Sequence, residues 1–364
     1  MQFLLLISLI LLFCIFIIFI FIYLELIRKE KFTSSQYKLT FDYSGNNLEK
    51  MNPNNSDSDW KFSPSHNDQF DGEPTHGIVQ YGNNYELISI INQNNKKQLK
   101  IDLEHKSVNY QYRKAPRIHF YRKTFDHGLF IIDLEHLPYG PGLWPSFWFH
   151  GLTNSPSKWA CNGEIDVIEG ITDNTGKSTT NYSTLHTNIV NGNDCIQNIP
   201  NISNKSCSAG DIGYNSCGCS GNDNCPNLGC GIYWKNFNTF GNQFNDAKGG
   251  TFAIEISNDL GITIWFWPRN DPLLPDNIKN SHSDSLSTDN WQTQKDNKIQ
   301  FQPCPNHFKN LVPIINTTLC GDWAGNVFFP NDPESNIKCQ GYAQDPNVDI
   351  TEGYWLINYV KIYE

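Results

Sequence analysis

Gly261-Ile-Thr-Ile-Trp-Phe-Trp-Pro268 places Ile262, Ile264 and Phe266 on one face of an extended strand and Thr263, Trp265 and Trp267 on the other. Both faces are therefore covered, the second by either a further core layer or an aromatic binding surface. Working outward, the chain repeats short β-branched and aromatic runs between turn residues. They are His76–Tyr81, Glu86–Ile91, Gln98–Leu103, Arg117–Tyr121, Gly128–Leu134, Ser146–His150, Glu164–Glu169, Tyr182–Thr187, Thr251–Ser257 and Tyr354–Tyr363. No stretch sustains a 3.6-residue periodicity and no internal repeat is evident, so the pattern predicts an all-β sandwich or barrel.

Composition narrows the class. Against 27 Lys and Arg stand 37 Asp and Glu, and the net charge of −10 argues against a nucleic-acid partner. Ten Trp, 16 Tyr and 23 Phe supply more burial than a disordered chain carries, while 26 Gly and 19 Pro fit many turns. The 364 residues suit one large β domain with an appendage, and a monomer is expected.

From Phe3 to Leu24 the chain is apolar apart from Ser8, long enough to cross a ~30 Å hydrocarbon core as a helix. With no small-residue cleavage site evident, residues 1–27 read as an uncleaved transmembrane signal-anchor, cleavage and secretion being the alternative. Residues 28–72 read as a polar stalk and domain edge, and 73–364 as the sandwich. Arg28, Lys29 and Lys31 after the span would keep the domain cytosolic by positive-inside counting. The cysteines oppose that. Beyond Cys14 there are ten, six of them between about 191 and 246 in a stretch with few strand signals, which reads as a disulfide-pinned insertion. The cysteines decide the compartment as extracellular or lumenal. Cys217, Cys219, Cys225 and Cys230 lack the paired spacing of structural zinc sites, leaving a zinc knuckle as the minor alternative. Five N-x-S/T sequons, at Asn54, Asn181, Asn201, Asn204 and Asn316, are compatible with lumenal exposure, although an Asn-rich chain makes such triplets by chance.

The chemistry centres on Gly163-Glu164-Ile165-Asp166-Val167-Ile168-Glu169-Gly170. In a regular strand Glu164 and Asp166 share a face and Glu169 points to the other. One extra residue at a β-bulge around Val167–Ile168 would return Glu169 to the same face. Glycoside hydrolysis needs such a set: one carboxyl donates a proton to the leaving oxygen, a second supports the anomeric centre, and crowding keeps the donor protonated. A solvated acidic edge strand or a calcium site would show the same pattern. Ile165, Val167 and Ile168 weigh against both, because they imply a covered strand.

These residues resemble the family-16 glycoside hydrolases, specifically fungal-type endo-β-1,3(4)-glucanases or laminarinases. The matching pieces stand in family order: Glu73–Tyr81, Gly128–Asp133, Gly142–Trp148, Gly163–Gly170, Leu185-His-Thr187, Trp265–Arg269, Cys320–Gly325 and Tyr354–Tyr359. The resemblance covers about Tyr37 to the end. It implies a concanavalin A-like β-jelly roll of two antiparallel sheets and a retaining mechanism. It also implies Glu164 as nucleophile, Glu169 as acid/base and Asp166 as the assisting acid. Two departures, Pro141 where similar sequences tend to have a cysteine and Cys161 just before the catalytic strand, prevent transfer of the family's disulfide scheme.

Sugars stack their C–H faces on aromatic rings. By resemblance Trp148, Trp159 and Trp323 line a groove, with Trp144 a weaker candidate; the alternative for any sandwich tryptophan is core. Trp159, in a polar turn before Glu164, fits core least well. His186 matches the family's histidine near the acid/base but is by itself compatible with a surface or core residue. Arg117 fits the groove and a structural ion pair equally. The expectation is an endo-glucanase on β-1,3 or mixed β-1,3/1,4-glucan, needing no cofactor and holding no catalytic metal. Related folds carry a structural calcium ion in some cases, and no ligand cluster for one is evident. A transglycosylase, or a non-catalytic glucan-binding or attachment protein, are the rival readings.

Overall fold

In the computed structural model the described residues are 36–63, 75–93, 95–153, 161–187, 195–198, 206–208, 229–279 and 283–364. The alternating runs pair into two antiparallel sheets, with strands numbered in chain order. The front sheet has seven: β2 (Trp60–Phe62), β7 (Arg117–Phe120), β9 (Leu143–Gly151), β10 (Glu164–Glu169), β11 (Tyr182–His186), β14 (Cys230–Tyr233) and β19 (Leu311–Leu319). Their spatial order is β14-β11-β10-β9-β19-β7-β2. The back sheet has nine: β1 (Gln36–Ser44), β4 (Ile88–Gln93), β5 (Lys96–Ile101), β8 (Gly128–His136), β15 (Gly250–Ser257), β16 (Gly261–Pro268), β17 (Ser285–Ser287), β18 (Lys298–Phe301) and β20 (Trp355–Tyr363). Small ribbons join β3 (Val79–Gln80) to β6 (Arg113–Lys114) and β12 (Ile196–Asn198) to β13 (Ser206–Ser208).

The core follows from the strand alternation. Phe147 and Phe149 of β9, Ile165 of β10 and Ile315 of β19 meet Phe130 and Ile132 of β8 and Ile262, Ile264 and Phe266 of β16 in one buried cluster. The Phe130 and Phe149 rings cross between the sheets at 4.7 Å. On the opposite face of β16, Trp265 and Trp267 pack with Ile278, Leu286 and Trp291. The second face of Gly261–Pro268 is thus a further core layer, not a binding surface.

Part of the stretch read as stalk and domain edge lies in the sandwich. β1 runs between β17 and β20, and β2 closes the front sheet beside β7. β1 fully buries only Tyr37 and Tyr43, so its sequence looks like a wet segment while its backbone completes a sheet. The expected membrane span lies outside the described residues; among those described, no helix is long and apolar enough to cross a membrane.

Disulfides join Cys195 to Cys304 and Cys320 to Cys339. Cys161 and Cys230 are disulfide-bonded as well, which takes Cys230 out of the zinc-knuckle alternative; Cys217, Cys219 and Cys225 lie outside the described residues. Gly142, at φ 78°, sits where a Cβ would come within 3.0 Å of Cys339 Sγ, so the Gly140-Pro-Gly142 turn rests on that disulfide.

Candidate active site

The three acids are brought to one face by a register slip. Against β9, Glu164 faces His150, Ile165 faces Phe149 and Asp166 faces Trp148, yet Ile168 faces Phe147 and Glu169 faces Ser146. Val167 is the extra residue, a β-bulge where the acid spacing requires one. Val167 and Ile168 both turn into the core. Glu164, Asp166 and Glu169 consequently stand opposite His150, Trp148 and Ser146, on the face of β9 turned away from the core phenylalanines Phe147 and Phe149.

Glu164, Asp166 and His186 offer oxygen and nitrogen atoms that all lie within 4.8 Å of one another, and His186 Nε2 is 3.4 Å from Asp166 Oδ2. β11 supplies the histidine, placed directly opposite Glu164. Trp144 Nε1 donates to Glu169 Oε1 at 2.9 Å. Burial raises both Asp166 and Glu169 above the ordinary carboxylate range. Negative charge on Asp166 raises Glu169 further, while the Trp144 hydrogen bond and His186 pull it partly back. Crowded acids of this kind do not all ionise together, so a protonated donor persists toward neutral pH. The Glu164, Asp166 and His186 set could also ligate a cation. Among the described residues it is the one group of three or more His, Cys, Asp or Glu side chains so placed.

Aromatic walls extend along the sheet on both sides of the acids. On the β19 side, Trp148 Nε1 donates to Asn316 Oδ1 at 2.7 Å, and Asn316 Nδ2 donates to the Tyr81 hydroxyl at 3.1 Å. The Arg117 guanidinium carbon lies 5.3 Å from the Trp148 ring and 5.9 Å from Tyr81, a cation–π position. On the other side Trp323 meets Trp144 edge-on at 5.5 Å and Tyr182 at 5.7 Å, and Tyr182 stacks on Tyr233 at 4.1 Å. Tyr233 is 56% exposed at the sheet edge. The tyrosine hydroxyls sense Glu169, whose charge adds to the burial that raises both their pKa values.

Trp144, Trp148, His186, Trp323 and Arg117 therefore gather around the three acids; Trp159 lies outside the described residues. Asn316, Tyr81, Tyr182 and Tyr233 were not singled out from sequence as site residues. Tyr182 could have been, since it precedes Thr184 and His186 in strict alternation. Asn316 read only as a sequon. It and Asn181 are buried with their amides engaged, so neither is presented to solvent.

A family model described as "XgeA-like, catalytic GH16 domain" matches residues 65–363. The chain belongs to glycoside hydrolase family 16. Among its family-16 relatives, an endo-1,3(4)-beta-glucanase of Arthroderma benhamiae is 31% identical over 305 residues, which is 80% of this chain and 60% of that protein. The chain thus spans less than two thirds of that relative's length. Laminarinase 16A of Phanerochaete chrysosporium, solved with 6-O-glucosyl-laminaritriose in donor and acceptor sites, is 26% identical with a TM-score of 0.65, covering 91% of this chain and all of that one. An elongating family-16 β-1,3-glucosyltransferase is 25% identical with a TM-score of 0.66, covering 90% and 100%. The two-sheet sandwich is accordingly the family-16 jelly roll.

Proposed function

We propose that this family-16 protein is a retaining endo-glucanase that hydrolyses β-1,3 or mixed β-1,3/1,4-glucans by double displacement. The observation that carries the reading is the Val167 bulge, which turns Glu164, Asp166 and Glu169 to one face between aromatic walls. Glu164 attacks the anomeric carbon as the glycosidic C–O bond breaks, and Glu169 gives its proton to the departing oxygen. Glu169, now a carboxylate, takes a proton from water, whose oxygen displaces Glu164 from the sugar. Asp166, buried beside His186, orients Glu164 and limits the charge of the group. Trp148, Trp159, Trp323, Trp144, Arg117 and His186 hold the glucan. The steps use carboxyls and water alone and call for no cofactor.

The test incubates the full chain with laminarin, lichenan, carboxymethylcellulose and carrageenan, beside Glu164→Gln and Glu169→Gln. Laminarin or lichenan is degraded, and each variant loses on the order of 10²–10⁴-fold in kcat. Undiminished turnover in either variant removes that residue from its role. Transfer to a sugar hydroxyl is the second reading, favoured by the likeness to an elongating glucosyltransferase. Products longer than the starting oligomer would identify it. For location, the disulfides support an oxidising compartment, with residues 1–27 as a single-pass anchor and the catalytic domain extracellular or lumenal.

A further inference from the structure

The bulge interrupts a hydrogen-bonding ladder, and one side chain bridges the break. β10 pairs with β11 through Glu164, Ile165 and Asp166, and the register ends there. The next groups along that edge, the Val167 carbonyl and the Glu169 N–H, need partners from elsewhere. Asn181, immediately before β11, supplies both. Its Nδ2 donates to Val167 O at 2.9 Å, and its Oδ1 accepts from Glu169 N at 2.8 Å. The residue is completely buried. Its own backbone is fixed on both sides, its N–H donating to Thr239 Oγ1 at 3.3 Å and its carbonyl accepting from Trp234 N at 2.9 Å. Ser183 adds a second donor to Val167 O at 2.8 Å and is itself held by Trp234 Nε1 at 2.9 Å.

We infer that Asn181 is a positioning residue for Glu169, its carboxamide standing in for the missing strand so that the bulge keeps Glu169 on the site face. The inference rests on the proposed role of Glu169 as acid/base. A carboxamide presents a donor and an acceptor side by side, as a strand backbone does. Aspartate offers no donor, and alanine offers neither group. Glu169 leaves the strand at the residue whose N–H Asn181 holds, so a rotation of that peptide swings the carboxyl away from the leaving oxygen. Asn181 touches no substrate atom; it acts through the backbone of its neighbour.

The experiment compares the full chain with Asn181→Ala, Asn181→Asp and Ile254→Ala, the last a cavity in the inter-sheet core away from the site. It reads kcat, KM, the pH profile on laminarin and thermal unfolding. Asn181→Ala is expected to lose on the order of 10–100-fold in kcat, with KM changed less than about threefold. Its basic limb moves to lower pH, because a Glu169 freed toward water loses the burial that raises its pKa. Asn181→Asp is nearly isosteric and carries the test if the alanine variant fails to fold. It keeps the acceptor for Glu169, so kcat falls less than in the alanine variant. Ile254→Ala lowers the melting temperature with kcat and pH profile unchanged. Folded Asn181 variants with the parental kcat and profile would overturn the inference, as would a kcat loss that follows melting temperature alone. No turnover by the parent chain sinks the functional reading first and this inference with it.

Discussion

Trp144 donates its indole N–H to Glu169, and that hydrogen bond favours the charged carboxylate, opposing the burial that keeps Glu169 protonated. Trp144→Phe keeps an aromatic ring and deletes the donor. The Glu169 pKa then rises further, so the limb of the kcat profile lost by deprotonation moves to higher pH, and kcat at the optimum falls about tenfold. A profile unmoved or shifted toward acid would mean that the indole does not tune the acid. This contact was hard to read from sequence. Trp144 lies far along the chain from Glu169, and the two meet only because the bulge slips the β9 register. The acids themselves were legible, because on a covered strand with their spacing one extra residue around Val167–Ile168 suffices to bring all three to a shared face.

Strand β14 both contributes Tyr233 to the aromatic wall and shapes the part that β11 supplies. Gly231 sits beneath Tyr182, and a Cβ there would come within 2.2 Å of the ring. Gly231→Ala is expected to push Tyr182 out of its contact with Trp323 and to lower kcat/KM on polymeric glucan about tenfold, with little change on an aryl glucoside that does not reach the β14 edge. Equal losses on both substrates would point to general damage to the sheet instead. Strands β10 and β16 occupy the residues expected from alternation, since each is covered on both faces. Strand β19 went unread, although it is central to the front sheet. Its Pro313 argues against a central strand and Asn316-Thr-Thr318 reads as polar. The proline is tolerated because β7 pairs only with Ile314–Asn316, and the polar residues because Asn316 hydrogen-bonds Trp148 across the site.

At the scale of the molecule, the disulfides divide their labour by the length of chain they close. Cys195–Cys304 spans 109 residues and Cys320–Cys339 spans 19. Loop-closure entropy alone assigns about 5 kcal/mol to the first and about 3 kcal/mol to the second. Replacing both cysteines of the long link by alanine is therefore expected to lower the melting temperature more than the same change in the short one, as differential scanning calorimetry would register. The reverse order would mean that native packing around Gly142, not chain entropy, sets the worth of the short link. The sandwich was legible in the repeated short runs, whereas strand pairing and sheet order depend on contacts that no local pattern encodes. One more consequence concerns Asn181 and Asn316, whose amides the finished sheets keep inside. An oligosaccharide on either would have no room once the strands have closed. Were the chain folded in a lumen that glycosylates nascent proteins, β10 and β11 would have to zip together before a transferase reached the asparagine between them.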